Sequence, residues 1–221
     1  MCIRDRYYMM FIVTFILSCT LLYFSYTHTE NYLKYNTEKF EKLSVDRKHY
    51  VVKNINKGVY LALLVLFTSI LVIPDIVWHN KWHNELIKHV ASMYVSNDVV
   101  GLYMVKNLPT STRLHHTACI ILLMIAWSVD FQETNIGQLL VMYTYFSALS
   151  FPVNIYLGTR LCYKKTKWLK NSCKYVYLLS CLTNWTIQLK MYIPSEYAMA
   201  YFGLILLIVV DDLILLKWLW F

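Results

Sequence analysis

Charged residues are scarce in this chain: only 15% of its 221 residues are Asp, Glu, Lys or Arg, whereas 58% are hydrophobic and the mean hydropathy is +0.42. Soluble domains carry about 25% charged residues, so this scarcity excludes an ordinary solvated surface. Several apolar stretches approach the roughly 20 residues with which a helix crosses a hydrocarbon core about 30 Å thick. These stretches are too long and alternate too weakly for barrel strands, and we therefore predict an all-α, multi-pass transmembrane helix bundle.

Cysteine pairs with metal-site spacing are also lacking. No two cysteines form a CxxC motif, and several lie inside apolar runs; the six are Cys2, Cys19, Cys119, Cys162, Cys173 and Cys181. We interpret them as small buried apolar residues and predict no disulfide, no bound metal and no resident cofactor.

Histidines are few as well. The chain has seven and contains no HxxHH motif, which argues against the histidine-rich di-iron hydroxylases and desaturases. His79 and His83 are spaced i, i+4 and could share one metal ion, but a polar turn is the preferred interpretation.

The net charge of +8 does not indicate nucleic acid, because the lysines and arginines are confined to short loops between apolar segments. We predict about seven spans, of which the first, second, fifth and seventh are the clearest; they cover residues 7–27, 58–78, 86–105, 114–131, 136–159, 173–191 and 196–219. The first is interpreted as a retained helix rather than a cleaved signal peptide. The prefix "MCIRDR" resembles a translated sequencing adapter, and no chemistry is assigned to residues 1–6.

The distribution of basic residues predicts the orientation. With seven spans, 16 lysines and arginines fall on one side of the membrane and five on the other. Because cytoplasmic loops carry the excess of positive charge, we predict an outside or lumenal N-terminus and a cytoplasmic C-terminus.

Polar residues inside the predicted spans converge on the cytoplasmic half of the membrane. An ionisable group at the bilayer centre costs about 2.5–3.5 kcal/mol on insertion scales, so each one needs a partner or a function. The candidates come from four spans and are Asp98, His115, His116, Ser147, Ser150, Asn154, Asp211 and Asp212. The alternatives are interfacial histidines, a structural hydrogen bond at Asp98 and a structural pairing of Asp211 and Asp212 with a basic residue. Pro152 is predicted to kink the fifth span.

Four stretches give the chain a resemblance to a known family. They are "EKLSVDRKHYVVKNINKGVYLAL", "YVSNDV" with Asp98, "LHHTACIILL" with the histidine pair, and "SALSFPVNIY". In this order they resemble the TLC (TRAM/Lag/CLN homology) family, which includes the ceramide synthases. The resemblance covers residues 40–219 and implies one N-terminal helix with a basic loop (residues 1–39) followed by a six-helix TLC domain (residues 40–221).

The resemblance also implies a chemistry. In ceramide synthases the paired histidines are implicated in acyl transfer from acyl-CoA to a sphingoid base. Carried over, His115 and His116 are expected to act as base or transient acyl acceptor, with Asp98 orienting or stabilising an imidazolium. Ser147, Ser150, Asn154, Asp211 and Asp212 are expected to bind substrate. Membrane lipids are the expected partners, with acyl-CoA as co-substrate, and the endoplasmic reticulum is the expected location.

Two differences from the ceramide synthases weaken the enzymatic interpretation. The fifth span reads "MYTYFSALSFPVN" and lacks the acidic HDxSD-like run of ceramide synthases, and the homeobox-like segment of some synthases is missing. The chain is therefore closer to the TLC-domain-containing proteins. A non-enzymatic lipid sensor or trafficking protein is the competing hypothesis, and a purely structural bundle is the third.

Overall fold

The structure is a computed structural model that describes residues 3–164, 166–194 and 196–221. Met1 and Cys2, which belong to the adapter-like prefix, lie outside the described residues. Within the described ranges the chain forms ten helices and no strand: α1 (Ile3–Asn36), α2 (Glu38–Glu41), α3 (Val45–Leu71), α4 (Ile73–His79), α5 (Asn84–Met104), α6 (Thr110–Ser128), α7 (Asn135–Ala148), α8 (Phe151–Thr159), α9 (Lys167–Lys190) and α10 (Glu196–Trp220). The predicted all-helical bundle is confirmed.

We call each long helix, or two consecutive helices joined end to end, a rod. Two of the rods are interrupted. α3 passes into α4 at Val72, and α7 passes into α8 at Leu149 and Ser150. Pro74 and Pro152 lie in the first turns of α4 and α8. A proline is tolerated in a first turn, where its missing N–H has no helical acceptor, but it interrupts a helix that continues from the preceding residues. With α3–α4 and α7–α8 each counted as one rod, the long helices make seven rods, as many as the predicted spans.

Four rods are long and apolar enough to cross a membrane: Met9–Asn36, Val45–His79, Asn135–Thr159 and Tyr197–Trp220. They correspond to the four spans that are clearest in the sequence. Their outer faces carry large apolar side chains such as Leu21, Leu63 and Leu206, each more than 60% exposed. Such a surface is unfavourable in water and suits hydrocarbon. The chain is an integral membrane protein.

The predicted start of the second span is wrong. The apolar pattern predicts the second span at residues 58–78, but its helix already begins at Val45. The segment before residue 58 contains several polar residues, a composition that is typical of a loop. In the structure Val51, Val52 and Asn54 are buried, so this segment packs inside the bundle. Lys53 and Lys57, which the sequence pattern places in a loop, therefore lie on this helix inside the bundle.

The helix packing gathers α3, α5, α6, α8 and α10 at one end of the bundle. α3 packs extensively against α8, α5 against α1 and α6, and α10 against α6. The end at which α3 and α6 begin and at which α5, α8 and α10 finish is called the Val45 end below. The largest apolar core cluster lies between these helices, with Leu61, Leu122 and Ile208 among its buried members.

Two glycines allow α3 and α8 to approach closely. A Cβ atom on Gly58 would lie 2.6 Å from Ile155 Cγ1 and 2.9 Å from Ile155 N, and one on Gly158 would lie 2.6 Å from Ile55 Cγ1. The two contacts are reciprocal, because each glycine faces an isoleucine of the other helix. Small residues commonly serve this purpose between membrane helices.

We predict that Gly58→Ala destabilises the protein by about 1–3 kcal/mol, since the methyl group meets backbone as well as side chain. Gly203→Ala in α10 is the matched control, because a Cβ there meets nothing within 4 Å. The control should be neutral or stabilising, as alanine favours helix over glycine. Thermal unfolding in detergent measures both, and equal midpoints for the two variants would contradict the close packing.

Candidate functional site

The side chains predicted to form a site surround one polar cavity at the Val45 end. The cavity has a volume of about 330 Å³. Every predicted site residue except Asp98 lines it: His115, His116, Ser147, Ser150, Asn154, Asp211 and Asp212. Asp98 lies behind this wall and is 1% exposed. Residues from α6, α7, α8 and α10 thus converge at one depth, as their sequence positions predict.

Asp98 holds one member of the histidine pair. Its Oδ1 lies 2.9 Å from Nδ1 of His116 and accepts a hydrogen bond of 2.7 Å from Nζ of Lys57. On the other side of the ring, Nε2 of His116 lies 3.3 Å from Nζ of Lys53. The 3.3 Å contact is a hydrogen bond that Nε2 accepts from the ammonium group, whereas the contact of Nδ1 with the carboxylate is close but lacks hydrogen-bond geometry. Both ring nitrogens of His116 therefore lie against charged groups.

His115 has a different environment. Its side chain is 12% exposed, compared with 3% for His116, and its Nδ1 lies 3.4 Å from Oδ2 of Asp211. That distance suits a charge pair better than a strong hydrogen bond. The two imidazole rings stand at 75° to each other with centroids 5.3 Å apart. Both rings line the cavity, and His115 is the more exposed of the two.

The two adjacent aspartates of α10 have separate partners. Asp211 accepts a hydrogen bond of 3.2 Å from Oγ1 of Thr112 and faces His115. Asp212 accepts a hydrogen bond of 2.7 Å from the hydroxyl group of Tyr177. Consecutive helical residues point about 100° apart, which explains how neighbours in sequence contact different helices. Among the residues that the structure describes, neither aspartate pairs with a lysine or arginine, which was the alternative interpretation.

The serines and the asparagine of α7 and α8 occupy the wall opposite α6. Oγ of Ser147 lies 2.7 Å from the hydroxyl group of Tyr94. Asn154 donates to the backbone carbonyl of Ser150 at 3.4 Å, which is a contact within its own helix. These side chains line the cavity, but their hydrogen bonds are to protein groups.

Lys53 and Lys57 are site residues that the sequence pattern does not reveal. The pattern assigns both to a basic loop, yet Lys53 is 5% exposed and the side chain of Lys57 is 13% exposed. Their i, i+4 spacing on a continuous helix is the signal that places them on one face. With Asp98 and His116 they form a buried network of charged and polar groups, which is expensive to place in a membrane protein unless every charge has a partner.

No family model, curated protein or solved structure matches this chain. The function is therefore inferred from the cavity and its surroundings.

A second space, a narrow apolar cleft, lies inside the bundle. It has a volume of about 60 Å³, and its walls include Leu64, Val95, Leu122 and Val141. Tyr94 lines both spaces, so its side chain forms a wall between the polar cavity and the apolar cleft.

The second histidine group does not form a metal site of its own. α4 ends at His79, and Asn80 adopts a left-handed conformation with φ 49°, so the i, i+4 geometry is broken. Nε2 of His83 lies 2.6 Å from Oδ2 of Asp75. The preferred interpretation as a polar turn agrees with this geometry.

Proposed function

We propose that this protein is a TLC-like membrane acyltransferase that moves an acyl group from acyl-CoA to the amino group of a lipid, such as a sphingoid base. The observation that carries the proposal is the position of His115. Its imidazole lines a polar cavity of about 330 Å³ at the Val45 end of the bundle. An acyl thioester that binds in this cavity would present its carbonyl group near this imidazole.

In the proposed reaction His115 acts as the general base and Asp211 stabilises the imidazolium that forms. The lipid nitrogen forms a bond to the acyl carbon, the carbon–sulfur bond of the thioester breaks, and the departing CoA thiolate receives the proton that the amine loses. Imidazole suits this task because its ordinary pKa lies near neutral pH. Asp98 and Lys53 contact His116, whose ring packs against the reacting ring of His115.

The mouth of the cavity offers a site for phosphate. Arg160 lines it, and the guanidinium carbon lies 4.4 Å from the ring centroid of Trp218. Among the residues that the structure describes, the buried Nε of Arg160 has no hydrogen-bond partner. Arginine forms strong charge-assisted hydrogen bonds with phosphate, so this group is suited to the phosphates of CoA.

We also propose that the Val45 end faces the cytoplasm, in the endoplasmic reticulum or a related membrane. Without the two lysines that lie inside the bundle, Lys53 and Lys57, 14 basic residues fall on this side and five on the other, which supports this orientation. It would place the cavity on the side from which soluble acyl-CoA arrives. The C-terminus would then be cytoplasmic.

The proposal is tested with protein purified in detergent, labelled palmitoyl-CoA, and a panel of sphingoid bases and lyso-lipids. We expect amide product from the wild type and a loss of at least about 100-fold in the His115→Ala, His116→Ala double variant. Equal product from both proteins would overturn the catalytic proposal. Lipid binding without any transfer would favour the alternative of a non-enzymatic lipid sensor.

A further inference from the structure

We propose that Cys119 is a catalytic nucleophile that carries the acyl group as a thioester between acyl-CoA and the acceptor amine. This inference rests on the acyltransferase function proposed above. The apolar run around the thiol predicts an inert core residue, but its surroundings in the structure give it a different role.

Cys119 lies one helical turn after His115 on α6, so both side chains project from the same face. A side-chain ligand atom of each, together with a carboxylate oxygen of Asp98, forms a group in which all three atoms lie within 4.8 Å of one another. Cys119 is 2% exposed and is a free thiol. A thiol, an imidazole and a carboxylate at this separation are the components of an activated cysteine nucleophile.

The thiol and the imidazole line two different spaces. Cys119 lines the apolar cleft, whereas His115 lines the polar cavity. An acyl thioester bound in the polar cavity would have its carbonyl group near His115, and the Cys119 sulfur lies one helical turn further along the same face of α6. A buried acceptor is also still free: among the described residues, Oδ2 of Asp98 has no hydrogen-bond partner. It can stabilise positive charge that develops on the imidazole of His115.

The proposed chemistry is two balanced thioester steps. First, the Cys119 thiol gives its proton to His115, its sulfur bonds to the acyl carbon, and the CoA sulfur leaves and takes that proton. Then the lipid amine bonds to the same carbon, the bond to the Cys119 sulfur breaks, and the amine proton passes through His115 to that sulfur. The first step exchanges one thioester for another and so costs little free energy, and no oxidant or other reactant is needed.

The competing hypothesis is that the same three residues bind a metal ion, since aspartate, histidine and cysteine are all zinc ligands. The lysines argue against it. Nζ of Lys57 lies 2.7 Å from Oδ1 of Asp98, and Nζ of Lys53 lies beside His116. Two ammonium groups around the carboxylate repel a divalent cation, whereas they favour the negative charge that develops on a thioester oxygen during attack.

The test is acyl labelling of the full chain. Purified protein is mixed with labelled palmitoyl-CoA without acceptor, quenched in acid, and mapped by mass spectrometry; sphinganine is then added to a parallel sample. We expect stoichiometric label on Cys119 that moves into amide product when sphinganine arrives. Cys119→Ala should lower product formation by at least about 100-fold. Cys119→Ser should accumulate a slowly released oxygen ester, which shows that the fold and acyl binding survive.

Cys162→Ala is the matched control, because Cys162 is another buried free cysteine that packs in a separate apolar cluster. It should retain both label and activity. The inference is overturned if Cys119→Ala keeps product within about 3-fold of the wild type, if the label maps to His115, or if the purified protein holds stoichiometric zinc that Cys119→Ala loses. If the wild type forms no product from any acceptor, the acyltransferase proposal itself fails.

Discussion

Replacing Asp98 with leucine should destabilise the protein by about 3–5 kcal/mol, the cost of removing one partner from a buried charge pair. Oδ1 of Asp98 contacts both Lys57 and His116, and Lys53 lies on the far side of the same imidazole ring. Without the carboxylate, the ammonium group of Lys57 loses its partner in a largely buried space, and that of Lys53 lies near enough to interact with it. Their mutual repulsion adds to the loss of the hydrogen bonds.

Two further variants test this expectation. The double variant Asp98→Leu, Lys57→Met removes both charges of the pair and should recover part of the stability, because buried pairs replaced by apolar groups are often tolerated. Asp46→Asn is the surface control: Asp46 is exposed and accepts one hydrogen bond, from Asn107, so the change should stay within about 0.5 kcal/mol. Unfolding in detergent micelles measures all of these. Additive effects of the two buried substitutions would contradict the network.

The sequence predicts the membrane rods and the convergence of polar residues well, because both depend on short-range patterns. Length and apolarity define spans, and depth along a helix follows from a rise of about 1.5 Å per residue. For this reason the sequence alone places Asp98, His115, His116 and Asp211 near one another. Depth along a helix does not determine which side chains contact each other. The different contacts of the two histidines follow only from the packing of the helices.

The buried lysines show where such patterns fail. A lysine next to an apolar run is normally counted as a loop anchor, and the charge count treats Lys53 and Lys57 in this way. Whether a helix continues through polar residues depends on partners supplied by other helices, here Asp98 on α5 and His116 on α6. Tyr177 escapes prediction for a similar reason: the sixth span is recognisably polar, but the hydrogen bond to Asp212 is a long-range contact.

The surroundings of Cys119 show a third limit of local sequence patterns. A cysteine inside an apolar run is most often a small core residue, and that interpretation fits its burial. Its proximity to His115 follows from the i, i+4 spacing on α6, but the nearby carboxylate of Asp98 comes from another helix. Local spacing can therefore indicate a thiol and imidazole pair, whereas the third group is visible only in three dimensions.

The same substitution at the two adjacent histidines should give opposite results. His115→Gln is expected to lower kcat/KM for acyl transfer by about 10²–10⁴-fold, because an amide has no basic nitrogen to take a proton. The protein should remain folded, since the side chain lines a cavity and its 3.4 Å contact with Asp211 is long for a hydrogen bond. His79→Gln, at an exposed position of α4, should leave the activity unchanged.

His116→Gln should instead retain activity within about 10-fold of the wild type, because a glutamine amide can reproduce what His116 does in the structure. Its NH₂ group can donate to Asp98 and its carbonyl oxygen can accept from Lys53, so both buried charges keep a partner. His116→Leu offers neither contact and should lower stability as well as activity. Kinetics and unfolding measured on the same preparations separate these cases. If His116→Gln is as inactive as His115→Gln while both remain folded, the base is His116, and the lysine contact at its Nε2 must open during turnover.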